Sequence, residues 1–157
     1  MIRAFESQDI NQLVELAEKH CNEADANGYG EFDVKKIVEL VKTFHNQPNR
    51  ELLMAWRGGE IVGYVLVGIY RKQWSNEILG DIAFLYVAPE YRNGFIAKDL
   101  YQNAYDWFRQ RDVKTMTANV QAWNKDYEIC SDFVEQGEKF FGAMMNPVGT
   151  CFVKEIV

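Results

Sequence analysis

The stretch "DIAFLYVAPEYRNGFIAKDL", residues 81–100, decides how the rest of the chain is read. Its first half is apolar without alternation. That pattern suits a strand covered on both faces, and so a central one. Its second half carries apolar residues at helical spacing. Between the two lie Pro89 and the Arg92-Asn93-Gly94 turn. A strand that feeds a helix through a tight turn leaves the helix's first N–H groups unbonded, at the positive end of its dipole. Such a turn is an anion site, and Arg92 adds a positive charge beside it.

The flanking segments extend a single pattern. "IRAFE" reads as a short first strand. Ser7 is placed to cap a helix whose apolar face is Ile10, Leu13, Val14, Leu16 and Ala17. "DANGYGEFD" breaks that pattern. Asp33 caps a second helix, "VKKIVELVKTFHN", with Ile37, Val38, Leu40 and Val41 inward. Two β-rich runs flank Arg57-Gly58-Gly59, a hairpin turn. After residue 100 the helix continues through "YQNAYDWFRQRD". "KTMTANVQAW" is a strand, and "NKDYEICSDFVEQ" is a short helix ending at Gly137. "KFFGAMM" and "TCFVKEIV" read as two closing strands around "NPVG". The order is β-α-α-β-β-β-α-β-α-β-β, one mixed α/β (α+β) domain over residues 1–157.

The totals agree with a folded domain. The 157 residues are 48% hydrophobic, enough for a core. The net charge of −6 argues against a nucleic-acid partner, which normally meets a basic face, and suits a cationic ligand. Cys21, Cys130 and Cys151 form no CxxC pair and cannot all pair with one another, so thiols in a reducing compartment are expected. His20 and Cys21 are adjacent on a helix and point apart, so no metal site is expected. "MIRAFESQDIN" has no signal-like apolar run, and no run approaches the length that spans a bilayer. A cytoplasmic protein with no membrane partner is expected. The four tryptophans read as core or pocket wall.

The central stretch and the element order resemble the GNAT superfamily of acyl-CoA-dependent N-acyltransferases. Leu85, Val87, Pro89, Tyr91, Arg92 and Ala97 match its central strand-turn-helix motif. "GGEIVGYVLVG" is similar to its β2–β3 hairpin, "DWFRQRDVKTMTANV" to the helix leading into β5, and "FVEQG" to its "YEKLG". "HCNEADANGYGEFD" resembles the substrate loop of small phage and bacterial members, whose compartment would be the bacterial cytoplasm.

The resemblance implies an N-acetyltransferase that moves an acetyl group from acetyl-CoA to a primary amine by direct attack in a ternary complex. It places the cofactor's pantetheine arm on backbone of Leu85, Tyr86 and Val87. The pyrophosphate falls on Arg92, Asn93, Gly94, Phe95, Ile96 and Ala97, and Asn124 bonds the arm. Asp81 stands where some members carry a glutamate base, one methylene longer; Glu77 is a weaker rival. Phe133 stands where many have a proton-donating tyrosine, which leaves Tyr127 as the candidate acid. Phe95 replaces the glycine expected at that place in the phosphate turn. The acidic loop at 20–33, through Glu23, Tyr29 and Glu31, would receive the amine, with Asp25 and Asp33 adding charge. Phe95 and Phe133 also define the alternative, a catalytically degenerate GNAT-fold binding or assembly protein. The acceptor is a small-molecule or peptidyl amine, and exposed β-edges at the C-terminal strands leave room for a homodimer.

Overall fold

The structure is a computed structural model that describes residues 1–25, 31–73, 75–92, 94–119, 139–148 and 151–156. Seven strands form one sheet: β1 (Ile2–Ala4), β2 (Arg50–Arg57), β3 (Glu60–Arg71), β4 (Ile78–Val87), β5 (Thr115–Asn119), β6 (Asn146–Val148) and β7 (Cys151–Glu155), in the spatial order β1-β2-β3-β4-β5-β7-β6. The central place expected for the 81–87 strand is the place it occupies. Only β4 and β5 run parallel; the other pairs are antiparallel.

Helices α1 (Ile10–Asp25) and α2 (Val34–His45) cover one face of the sheet, and α3 (Ile96–Arg109) covers the other. Residues 61–67 of β3 are therefore buried on both faces, which is why the sequence there loses its alternation. The α3 face is filled by Val62, Val65, Ile82, Leu100, Phe108 and Met116. The α1/α2 face is filled by Leu13, Leu16, Met54, Tyr64 and Tyr86. The hairpin at Gly58-Gly59 has φ of +58° and +88°, the conformation that a two-residue turn between twisted strands demands.

Three local expectations change. The chain enters α1 through a 3-10 turn, Ser7–Asp9, that starts at Glu6 rather than at a Ser7 cap; the Asp9 carboxylate accepts the Glu6 N–H at 2.9 Å. Arg3 donates to both oxygens of Asp9, at 2.8 Å each, and holds that carboxylate beside the turn. Leu40 is 40% exposed, because Ile37, Val41 and Phe44 already fill the inward stripe of α2. "KFFGAMM" is not a strand. Residues 139–142 are helical, with Phe141 buried in the α3-side core, and the hairpin partner of β7 is Asn146–Val148. The helix expected over 124–136 lies outside the described residues.

Candidate active site

The site begins with a register irregularity. Leu66 of β3 pairs with Phe84, but Val67 pairs with Ile82, so Ala83 is an extra residue, a β-bulge, in β4. On its other edge β4 pairs with β5 only from Leu79↔Thr115 to Ile82↔Ala118. Beyond the bulge, residues 83–87 have no β5 partner among the described residues. That backbone edge of β4 is left without a strand partner among the described residues.

The bulge also sets which side chains share a face. Asp81 and Phe84 sit opposite Gly68 and Leu66, two residues apart on β3, so both project from the α1/α2 face although they are three apart in sequence. Thr117 lies in register with Asp81 and donates to its Oδ1 at 3.1 Å. Burial raises the Asp81 pKa above the usual carboxylate value, and the Thr117 hydrogen bond opposes that only in part. A half-buried carboxyl with a raised pKa is suited to accept a proton near neutral pH. Glu77 is different: it is exposed and ion-paired to Lys72 at 2.6 Å, which lowers its pKa.

The turn after β4 is built by Pro89–Tyr91, a 3-10 turn closed by Tyr91 N–H to Ala88 O (2.9 Å) and Arg92 N–H to Pro89 O (3.3 Å). Gly94 is not its pivot. Its φ is not in the left-handed region, and an added Cβ would meet only the Tyr91 carbonyl oxygen, at 3.8 Å. Phe95 is the N-cap of α3 with φ −85° and ψ 4°, angles open to any L-residue, and its side chain is 75% exposed. The ring therefore lies outside the turn. Phe95 offers no side-chain cap to the first N–H groups of α3, which lie at Ile96, Ala97 and Lys98.

Arg92 points back to the α1 side. Its Nε donates to Val87 O at 2.8 Å, and its two terminal nitrogens donate to the two oxygens of Glu23 at 2.5 and 2.6 Å. Tyr86 Oη donates to the same carboxylate at 3.1 Å. Burial alone would raise the Glu23 pKa; the hydrogen bond and charge of Arg92, with Tyr86, more than offset it, and the group stays below its usual value. His20 stacks on Tyr86, centroids 4.3 Å apart, and its Nδ1 lies 2.6 Å from Tyr64 Oη. Burial lowers the His20 pKa to about 4, with Glu23 opposing and Arg92 assisting, so the ring is neutral at pH 7. Burial, with the adjacent Glu23 carboxylate, pushes Tyr86 up to about 12.

The sequence-derived candidates thus divide. Leu85, Tyr86 and Val87 lie on the segment of β4 that pairs with β3 but has no β5 partner among the described residues, and Gly94, Phe95, Ile96 and Ala97 lead into α3. Glu23 is joined to Arg92, and Glu31 instead lines a shallow depression of about 570 Å³ with Phe32, Asp33 and the first turn of α2. The Asp33 carboxylate is used as the α2 cap, accepting from Lys35 and Lys36 N–H. Tyr29, Asn93, Asn124, Tyr127 and Phe133 lie outside the described residues, as do Trp74, Trp123 and Cys130; so does the Asp25 side chain. Three residues of this face were not singled out from sequence, Tyr64, Phe84 and Thr117, and His20 was weighed there only as half of a metal pair. For His20 a signal existed, since Leu13, Leu16, His20 and Glu23 fall on one helical stripe. For Thr117 none did, because its role depends on the β4–β5 register.

The acetyltransferase (GNAT) family model matches residues 19–127. This chain belongs to that family. Its members generally take their acetyl group from acetyl-CoA. A search of curated protein sequences finds no match. Among solved structures, the chain is similar to a ribosomal-protein-alanine N-acetyltransferase from Brucella melitensis, with TM-score 0.75 and 18% identity over 99% of each chain. It is also similar to an aminoglycoside 6'-N-acetyltransferase from Acinetobacter haemolyticus, with TM-score 0.71 and 14% identity over 95% of this chain and 92% of that one. An aminoglycoside acetyltransferase from an uncultured soil sample, in complex with sisomicin, gives TM-score 0.67 and 15% identity over 95% and 88%. At these identities the likeness is one of fold. Among the described residues no helix is long and apolar enough to cross a membrane, and no cluster of His, Cys, Asp and Glu could hold a metal ion.

Proposed function

We propose that this GNAT protein is an N-acetyltransferase that transfers an acetyl group from acetyl-CoA to a primary amine within a ternary complex. The observation that carries the reading is the open edge of β4. Pairing with β5 stops at Ile82↔Ala118 while β4 continues to Val87. That edge offers peptide N–H and C=O groups to an extended amide chain, as a neighbouring strand would. A pantetheine arm is such a chain, and the residues present fit it. Leu85 to Val87 would hold the arm, and the amides of Ile96 and Ala97 would meet the pyrophosphate. When bound, acetyl-CoA supplies an activated acetyl thioester.

The protein's own groups then have defined tasks. An amine reaches neutral pH as ammonium and attacks only after losing a proton. Asp81 is the base, acting directly or through one water, because its raised pKa keeps it from being too weak an acceptor. Thr117 holds the Asp81 carboxylate in place. Phe84, half exposed on the same face, lines the approach to it. The unpaired backbone N–H groups of the bulge segment are donors for the oxygen that gains charge in the transition state.

Isothermal titration with acetyl-CoA tests the first half of this reading, and an acetylation assay over a panel of amines tests the second. The panel holds a peptide with an N-terminal alanine and an aminoglycoside, chemistries suggested by the structural neighbours, with a lysine peptide and a polyamine as further primary amines. The expected result is saturable binding with Kd between about 1 μM and 1 mM and turnover of at least one amine class. No heat at millimolar acetyl-CoA would instead favour a degenerate binding protein, a reading that draws on the engagement of Arg92 by Glu23.

A further inference from the structure

The phosphate turn has one strong tie to another part of the molecule, and it runs to α1. Glu23 is on the last turn of α1, three residues before the 26–30 segment; Arg92 closes the 3-10 turn that leads to α3. Their side chains meet in a two-pronged pair, each 31% exposed. Arg92 Nε–H donates to the carbonyl of Val87, the last residue of β4. Tyr86 adds a hydrogen bond to Glu23, and the guanidinium carbon lies 5.5 Å from the Tyr86 ring centroid. Planar, bidentate, partly desolvated pairs of this kind fix geometry as well as contribute energy. Three of the five guanidinium N–H donors are taken up within the protein, on the side of β4 away from α3.

We propose that Glu23 is a positioning residue: its carboxylate holds Arg92 against the end of β4 and so fixes where the turn delivers the first amides of α3. Arg92 then serves the cofactor site through the backbone it anchors rather than by touching phosphate. The tie also means that the root of the acidic loop and the phosphate turn move as one unit, so occupancy on one side is felt on the other. This inference rests on the acetyl-CoA reading above for its ligand, but its geometry stands independently of it.

The test compares wild type, Glu23→Gln, Arg92→Ala and the double variant. Glu23→Gln keeps size and one acceptor for Tyr86 while removing the charge. CoA affinity is measured by calorimetry, amide hydrogen exchange is followed at Gly94 to Ala97 in the free protein, and melting temperature is recorded. Each single variant is expected to weaken CoA about three- to tenfold and to speed exchange at these amides, a coupling of ordinary size for a contact network. The double variant should be no weaker than the weaker single, because both break one tie. Tighter or unchanged CoA binding by Glu23→Gln beside a loss in Arg92→Ala would mean that Arg92 reaches phosphate itself, and would overturn the proposal. So would a lower melting temperature with unaltered exchange at 94–97. If wild type binds no CoA, the functional reading falls and the exchange data alone decide whether Glu23 positions the turn.

Discussion

Gly63 and Gly68 lie five residues apart on β3 and look alike in "VGYVLVG", yet alanine should have opposite effects at the two. A Cβ on Gly63 would sit 2.8 Å from the Tyr86 carbonyl oxygen, 3.2 Å from Val87 and 3.3 Å from Leu100. The first contact is backbone, and Val87 and Leu100 are buried, so none of the three can step aside cheaply. Overpacking of this kind costs about 1–3 kcal/mol. Alanine stiffens the unfolded chain and returns about 0.4–1 kcal/mol. The net loss is about 1–2 kcal/mol, which at about 2–4 °C per kcal/mol for a chain of this size lowers Tm by about 2–8 °C. On Gly68 the nearest atom is the Arg50 side-chain Cγ at 3.8 Å, an ordinary contact. There the unfolded-state gain stands alone, and Tm should rise by about 1–4 °C. Thermal melts followed by circular dichroism at several scan rates measure both. If Gly63→Ala melts at or above Gly68→Ala, the packing of β3 against β4 described above is wrong. Since the strain falls on Tyr86 and Val87, Gly63→Ala should also weaken acetyl-CoA binding in the folded protein, and Gly68→Ala should not.

Asp81→Asn should lower kcat by about 10²–10⁴ while leaving acetyl-CoA affinity within about threefold, as loss of a general base does; a fall confined to KM would remove Asp81 from that role. In wild type the acid limb of kcat/KM should lie above the ordinary aspartate range, following the raised Asp81 pKa. His20 has a folded-state pKa of about 4 against 6.5 unfolded, so the unfolded chain binds the extra proton between those values. Stability should therefore fall as pH drops from 6.5 towards 4, and His20→Gln should flatten that slope in urea titrations; an equal slope in the variant would mean the ring is not the group that titrates. Phe95→Gly, which restores the glycine of the family's phosphate turn, should change acetyl-CoA affinity by less than about threefold, because the ring already lies in solvent and φ is −85°; a tenfold gain in calorimetry would show that the ring obstructs the turn.

Much of the fold is set by local rules that a single chain carries. The unbroken apolar run at 82–88 pointed to a central strand, and β4 lies at the centre of the sheet, although Phe84 is half exposed there. Gly58-Gly59 allowed only a tight hairpin, and Asp33 before a helical stripe gave the α2 cap. Such features depend on backbone sterics and on hydrophobic period, both short-range. The closing segment failed for the same reason. "KFFGAMM" has strand-like residues, but burial of Phe141 and Met145 in the α3-side core selects a helical turn there, and propensity yields to packing.

The site is legible in part. Asp81, Glu23 and Arg92 could each be picked out by residue type and motif, but not the company they keep. The β-bulge at Ala83 decides that Asp81 and Phe84 share a face, and no residue in "DIAFLYV" announces it. Glu23 and Arg92 are 69 residues apart, and their pairing depends on α1 crossing the end of β4. Thr117 meets Asp81 only through the parallel β4–β5 register. Sequence by itself determined most of the elements up to β5, because periods of two and 3.6 and the special turns are local properties of the chain. Tertiary structure alone decided register, facing and charge pairing, because these arise when distant strands dock and a one-residue shift reverses every side chain.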